Sequence, residues 1–117
     1  MYFFLIQLFY GDYMNLIYND KKIEIFECNS FISRLIGFMF KKDIKYALLF
    51  NKCNSIHTYF MKSNIDVIMC DKENNILYYY NNLSKNKVIF PKKNVYKTIE
   101  LPVNFFDIKI NTKVRID

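Results

Sequence analysis

The sequence predicts an α+β domain that is predominantly β, built as a small mixed or antiparallel sheet, curled or barrel-like, with two short helices. Three observations lead there. Short strand-like runs recur at residues 47–50, 56–61, 65–70, 76–80 and 95–101, separated by Asn- and Asp-rich breaks. The hydrophobic fraction is 52%, ample for a core in a chain of 117 residues. No stretch approaches the ~20 apolar residues that a membrane span needs.

The elements follow in order. Met1 to Tyr10 is apolar and aromatic but has neither a basic n-region nor a small-residue cleavage site, so it makes a poor signal peptide. Residues 1–13 are expected to be an extension or an extra edge strand, and residues 14–117 a single domain. Residues 16–18 and 23–26 flank Asn19-Asp20-Lys21-Lys22 and read as a hairpin. Ser30 is a hydroxyl N-cap, with Phe31, Ile32, Leu35 and Ile36 along one helical face and Gly37 as the stop. Residues 38–40 are expected to leave in extended form. The stretch 71–75 is a turn, Pro102 is expected to open a second helical turn through Phe106, and residues 113–116 form a last strand.

Composition narrows the function classes. Lys, Asn, Ile, Tyr and Phe are abundant, beside two Gly, two Pro, one His and no Trp. That skew has the look of an AT-rich coding background. The net charge of +6 is discounted accordingly, since all but Arg34 and Arg115 of the 17 basic residues are lysines. The run Lys85, Lys87, Lys92, Lys93 and Lys97 beside Phe90 and Tyr96 could grip a nucleic-acid backbone, but a solvated loop is the better reading. Cys28, Cys53 and Cys70 are odd in number and share no CxxC spacing. They predict buried thiols, a reducing compartment and a cytoplasmic location.

In such a background the rare polar residues carry the most information. Arg34 could hold a carboxylate or phosphate through two hydrogen bonds. Its commoner use is structural, in a pair with Glu24 or Glu27 or on helix-end carbonyls. His57 is the single imidazole, so neither a His-rich metal site nor a cofactor is expected. No nucleophile elbow accompanies Ser55 or Ser63. Any catalytic part for His57 is therefore as general acid or base, with Asp66 or Asp71 orienting the ring. If residues 56–61 and 65–70 form a hairpin, a three-residue loop sets His57 opposite Met69 and puts Asp66 on the other face. A two-residue loop sets His57 opposite Cys70 and leaves Asp66 roughly 13 Å away along the ladder. Asp71 is the nearer carboxylate in both. Asp66, inside an apolar strand, either caps a turn through backbone N–H groups or lines a polar cleft, with the cap slightly favoured.

These residues also carry a family resemblance. Arg34-Leu-Ile-Gly37-Phe-Met39-Phe40 is similar to the Arg-x-x-Gly-Leu-Met-Phe signature of the domain-of-unknown-function family 192 (DUF192, also called UPF0127). The block from Ser55 through His57, Met61 and Asp66 to Asp71 resembles that family's central His-Thr-Phe-Phe-Met segment. Ile99-Glu100-Leu101-Pro102 resembles its Glu-Leu-Pro turn. Asn64 stands where the family usually has proline, and Asn111-Thr112 where it has Gly-Asp. The resemblance implies a compact β-rich α+β fold and no particular activity. It marks Arg34, Gly37, Met39, His57, Met61, Asp66 and Pro102 as motif positions. The resulting expectation is a binding or accessory module with Arg34, His57, Asp66 and Asp71 around a polar cleft for a small ligand or a partner segment. A small acid–base enzyme of hydrolase or lyase type, using His57 with Asp66 or Asp71, is the alternative. Nucleic-acid binding through the 85–97 lysines is a further one.

Overall fold

The structure, a computed structural model, describes residues 13–117. Of the expected extension over 1–13, residues 1–12 lie outside the described residues, and Tyr13 opens the first strand. β1 (Tyr13–Tyr18) and β2 (Lys21–Glu27) form an antiparallel hairpin. Its two-residue turn places Asn19 at φ 49° and Asp20 at φ 64°. That double positive φ matches the right-handed twist of the flanking strands, and Asn and Asp tolerate it better than other side chains.

The chain then crosses over through α1 (Phe31–Ile36) into β3 (Ala47–Asn51), which lies parallel to β2. β5 (Ile65–Cys70), β6 (Ile76–Leu83), β8 (Lys97–Leu101) and β9 (Arg115–Ile116) complete a curled, seven-stranded sheet of order β6-β5-β8-β3-β2-β1-β9. β4 (Ile56–His57) and β7 (Val88–Ile89) pair separately as a two-stranded ribbon. The fold is α+β and predominantly β. Residues 102–106 close a turn rather than a second helix, with the Phe105 N–H on the Pro102 carbonyl. Residues 37–40 also turn rather than extend.

The sheet is covered on both faces. Phe26, Leu48, Phe50, Val67 and Met69 pack on one side. Ile25, Leu49, Ile68, Ile99 and Leu101 pack on the other. All six residues of β5 are buried, as expected of a central strand with both faces against protein.

Residues 56–61 and 65–70 do not form the hairpin considered above. β5 pairs with β6 and β8, whereas His57 sits opposite Val88 in the ribbon. Thr58 decides the separation. It is buried, and its hydroxyl donates to the Ser84 carbonyl and accepts the Lys87 N–H, tying this segment to the loop before β7. No helix among the described residues is long and apolar enough to cross a membrane.

Candidate functional site

The site is built from α1 and the two segments it packs against. Ser30 accepts the Ser33 N–H at 3.1 Å, and Ser33 Oγ accepts the Ser30 N–H at 3.2 Å, a reciprocal cap that starts the helix at a defined residue. The helix ends on Gly37, whose N–H donates to the Ser33 carbonyl at 2.9 Å. Gly37 has φ 51° and ψ −123°, a conformation that only glycine adopts readily. It brings the backbone down onto Glu100 of β8.

Glu100 is the residue that organises the site. Its Cα neighbours on the sheet are Leu48 of β3 and Val67 of β5, so its carboxyl rises between two apolar strands on the side facing α1. It is 5% exposed, accepts a hydrogen bond from the Phe38 backbone N–H, and leaves Oε1 without a partner among the described residues. Burial pushes its pKa up to about 8, and the Phe38 N–H offsets this only in part. Burial therefore favours the neutral acid at pH 7.

Above this carboxyl opens a cleft of about 110 Å³. Arg34, Cys53, Ser55, His57 and Glu100 give its lining polar character, while Met39, Phe50, Ile56 and Met61 contribute apolar walls. The volume corresponds to a few water molecules at ~30 Å³ each, or to a ligand of a few heavy atoms.

Each expected site residue has a definite place. Arg34 donates from Nη1 to the Asn51 carbonyl at 2.8 Å, fastening α1 to the end of β3. The expected pairs with Glu24 or Glu27 do not form, because Asn51 Nδ2 reaches Glu27 Oε2 instead, at 2.8 Å. Arg34 also lines the cleft. His57 is half-buried, and its Nδ1 accepts the Tyr59 N–H at 3.2 Å. That bond places the proton of the neutral ring on Nε2.

Asp66 and Asp71 are not among the residues lining the cleft. Asp66 points to the opposite side of the sheet from Glu100, in line with Ile68 and Cys70. There it accepts the backbone N–H groups of Asn82 (2.8 Å) and Asn104 (3.0 Å), the Tyr79 hydroxyl (2.7 Å) and Asn81 Nδ2 (2.9 Å). Burial, followed by this contact with Asp66, pushes the Tyr79 phenol up. Asp71 closes its own turn, taking the N–H groups of Glu73 (3.0 Å) and Asn75 (2.9 Å). The Asn75 side-chain bond, above all, holds its carboxyl below the usual range. The structure thus brings Arg34 and His57 together and separates both from Asp66 and Asp71.

Of the motif positions, Met39 and Met61 wall the cleft and Gly37 forms its lip. Pro102 instead opens the turn that presents Asn104 to Asp66. The basic run is partly engaged elsewhere: Lys92 lies over the Tyr78 ring and Lys97 donates to Asn74.

Glu100 did not stand out in the sequence because Thr98-Ile-Glu100-Leu alternates polar and apolar residues, the pattern of a strand with one wet face. Here the face that reads as wet is covered by α1 and the 53–61 segment. The one pointer to Glu100 was its place in the Glu-Leu-Pro block.

Gly37 supplies a direct check on this geometry. A Cβ built there lies 3.1 Å from Glu100 Oε1 and 3.3 Å from Phe50 Cζ, at a positive φ. Gly37→Ala is expected to lower stability by about 1–3 kcal/mol in urea unfolding. Unchanged stability would mean that the backbone does not approach Glu100 in this way.

Comparison with known proteins gives a family and a fold. The family model DUF192, described as "Uncharacterized ACR, COG1430", matches residues 15–116. No curated protein sequence matches the chain. A crystal structure of a protein of unknown function from Novosphingobium aromaticivorans DSM 12444 superposes with a TM-score of 0.71 at 11% identity, covering 88% of this chain and 83% of that one. A second crystal structure, described as a "putative transcription regulator" from Sinorhizobium meliloti 1021, superposes with a TM-score of 0.75 at 11% identity, covering 92% and 95%. At that identity both matches concern the fold alone.

Proposed function

We propose, starting from the fact that this chain belongs to the DUF192 family, that it is a small binding or accessory module whose cleft beneath Gly37 receives a small polar ligand. One observation supports the reading above all: Glu100, whose buried Oε1 has no partner among the described residues, is the single acid among the residues lining an open cleft. Buried polar atoms are nearly always hydrogen-bonded, and one without a partner beside a cavity is well placed to meet a guest. Arg34 and His57 lie in the same lining with donor capacity to spare. Asp66 and Asp71 are left out of this site, since their oxygens are engaged in turns.

A thermal-shift screen of small polar compounds on the wild type and on Met39→Trp, which fills the cleft from its apolar wall, tests the reading. A compound that raises the wild-type Tm and leaves that of the variant unchanged is the expected result. Equal shifts in both proteins would place binding elsewhere.

A second reading rests on the same carboxyl. An acid with its pKa near 8 beside a histidine with a free Nε2–H is suited to general acid–base chemistry at neutral pH. It would replace the dyad of His57 with Asp66 or Asp71 by His57 with Glu100. Binding without turnover of any ligand found in the screen favours the first reading.

A further inference from the structure

The chemistry of the cleft lining narrows its guest. Apart from Glu100, the polar side chains in its lining carry donors: the Arg34 guanidinium, the Ser55 hydroxyl and the ring N–H of His57, whose Nδ1 accepts the Tyr59 N–H. Cys53 is turned away, its Sγ donating to the Ser55 carbonyl at 3.2 Å. Glu100 is the single acid in the lining, and among the described residues no ion pair holds it. A ring of donors around one uncharged carboxyl fits an acceptor-rich anion better than it fits an amine, which would have to sit beside Arg34.

We propose that the cleft takes a small monocarboxylate with a short apolar body, and that Glu100 receives it in the protonated form, donating its O–H to the ligand carboxylate. The ligand's tail then lies against Met39, Phe50 and Met61. The inference rests on the reading of the cleft as a ligand site and names what enters it.

The proton follows from electrostatics. Two carboxylates in contact in a water-poor site do not both ionise; one keeps its proton. With its pKa near 8, Glu100 is neutral at pH 6, so binding there moves essentially no proton. Above pH 8, the free protein carries an ionised Glu100, and each ligand bound must bring one proton from solution.

The other ionisable groups near Glu100 come from three elements. Arg34 comes from α1. At the end of β2, Glu27 is held by Asn51, and burial together with Glu100 pushes the Cys28 thiol far up. Cys53 and His57 come from the segment after β3. On β8 itself, the same-face neighbour Thr98 does not titrate.

The experiment is titration calorimetry of the full chain with propionate, propionamide and propylamine, at pH 6 and pH 9, in two buffers of different ionisation enthalpy. Propionate is expected to bind with no proton uptake at pH 6. At pH 9 uptake should approach one proton, with affinity falling about tenfold per pH unit above the Glu100 pKa. In Glu100→Gln, a neutral side chain that still donates, propionate binding should persist without that loss of affinity. A ¹³C NMR titration of the glutamate side-chain carboxyls should place one of them near pH 8 in the wild type. Propionate binding that is indifferent to pH between 6 and 9, or preferential binding of propylamine, overturns the carboxylate proposal and leaves the cleft a ligand site. Failure of all three compounds to bind overturns both.

Discussion

Glu100→Gln is expected to stabilise the protein at pH 8 and above by roughly 3–6 kcal/mol relative to wild type, and to leave it nearly unchanged at pH 4. The sign follows from linkage. The carboxyl titrates near 4.5 in the unfolded chain and near 8 in the folded one. Below both values it is protonated in each state, and its contribution to stability is fully present. Between them the unfolded chain ionises while the native protein keeps its proton, so wild-type stability falls with rising pH and levels off above about 8. Glutamine resembles the neutral acid in shape and does not titrate, so the slope disappears. Urea unfolding of both proteins from pH 4 to 9 measures it. Parallel stability curves would show that Glu100 is hydrated or paired in solution, and the basis for a protonated residue in the cleft would be lost.

The second large effect lies on the other face of the sheet. Asp66→Ala is expected to cost about 1–3 kcal/mol, because the buried carboxylate is lost and the N–H groups of Asn82 and Asn104 lose their acceptor in part-buried bonds. Asp66→Asn should fall between alanine and wild type, since its amide keeps one acceptor oxygen and turns an N–H toward the remaining donors. Neither variant should alter propionate binding, as Asp66 and Glu100 point to opposite faces. The measurements are chemical denaturation and calorimetry on the same samples. Unchanged stability with loss of ligand would return Asp66 to the binding site.

These two acids show where sequence reasoning succeeds and where it stops. Both sit in strands, one flanked by Ile65 and Val67 and the other by Ile99 and Leu101. Asp66 stood out because a carboxylate in an apolar run is conspicuous. Glu100 did not, because alternation with Ile99 and Leu101 reads as an ordinary solvated face. Which of them lines a cleft depends on what covers each face of the sheet. For Glu100 that cover is made of α1 and the 53–61 segment, far from it along the chain.

Local physics was legible throughout the domain. The Asn19-Asp20 turn, the Ser30 cap, the stop at Gly37 and the strand over residues 65–70 all depend on dihedral preferences and neighbours within a few positions. Of the twelve described non-glycine residues with positive φ, seven are asparagines. With so few glycines in the chain, asparagine takes over the left-handed positions, including Asn111, where the family usually has glycine. The exposed pair Phe40 and Phe60, at φ 66° and 62°, has no such excuse. The Phe40 N–H on the Phe60 carbonyl holds the two segments together near the cleft.

The amino-acid sequence by itself determined a β-rich α+β fold, its helix and most of its strands, and it singled out Arg34, Gly37 and His57 as candidates. Only the tertiary structure decided that His57 pairs with β7 rather than with the 65–70 strand, that Asp66 and Asp71 serve turns, and that Glu100 is the acid beneath the cleft. The reason is range. Turns and caps are set by bonds between near neighbours, whereas the charge state of a carboxyl is set by whatever excludes water from it. For Glu100 that is the backbone at Gly37 and Phe38, more than sixty positions earlier in the chain.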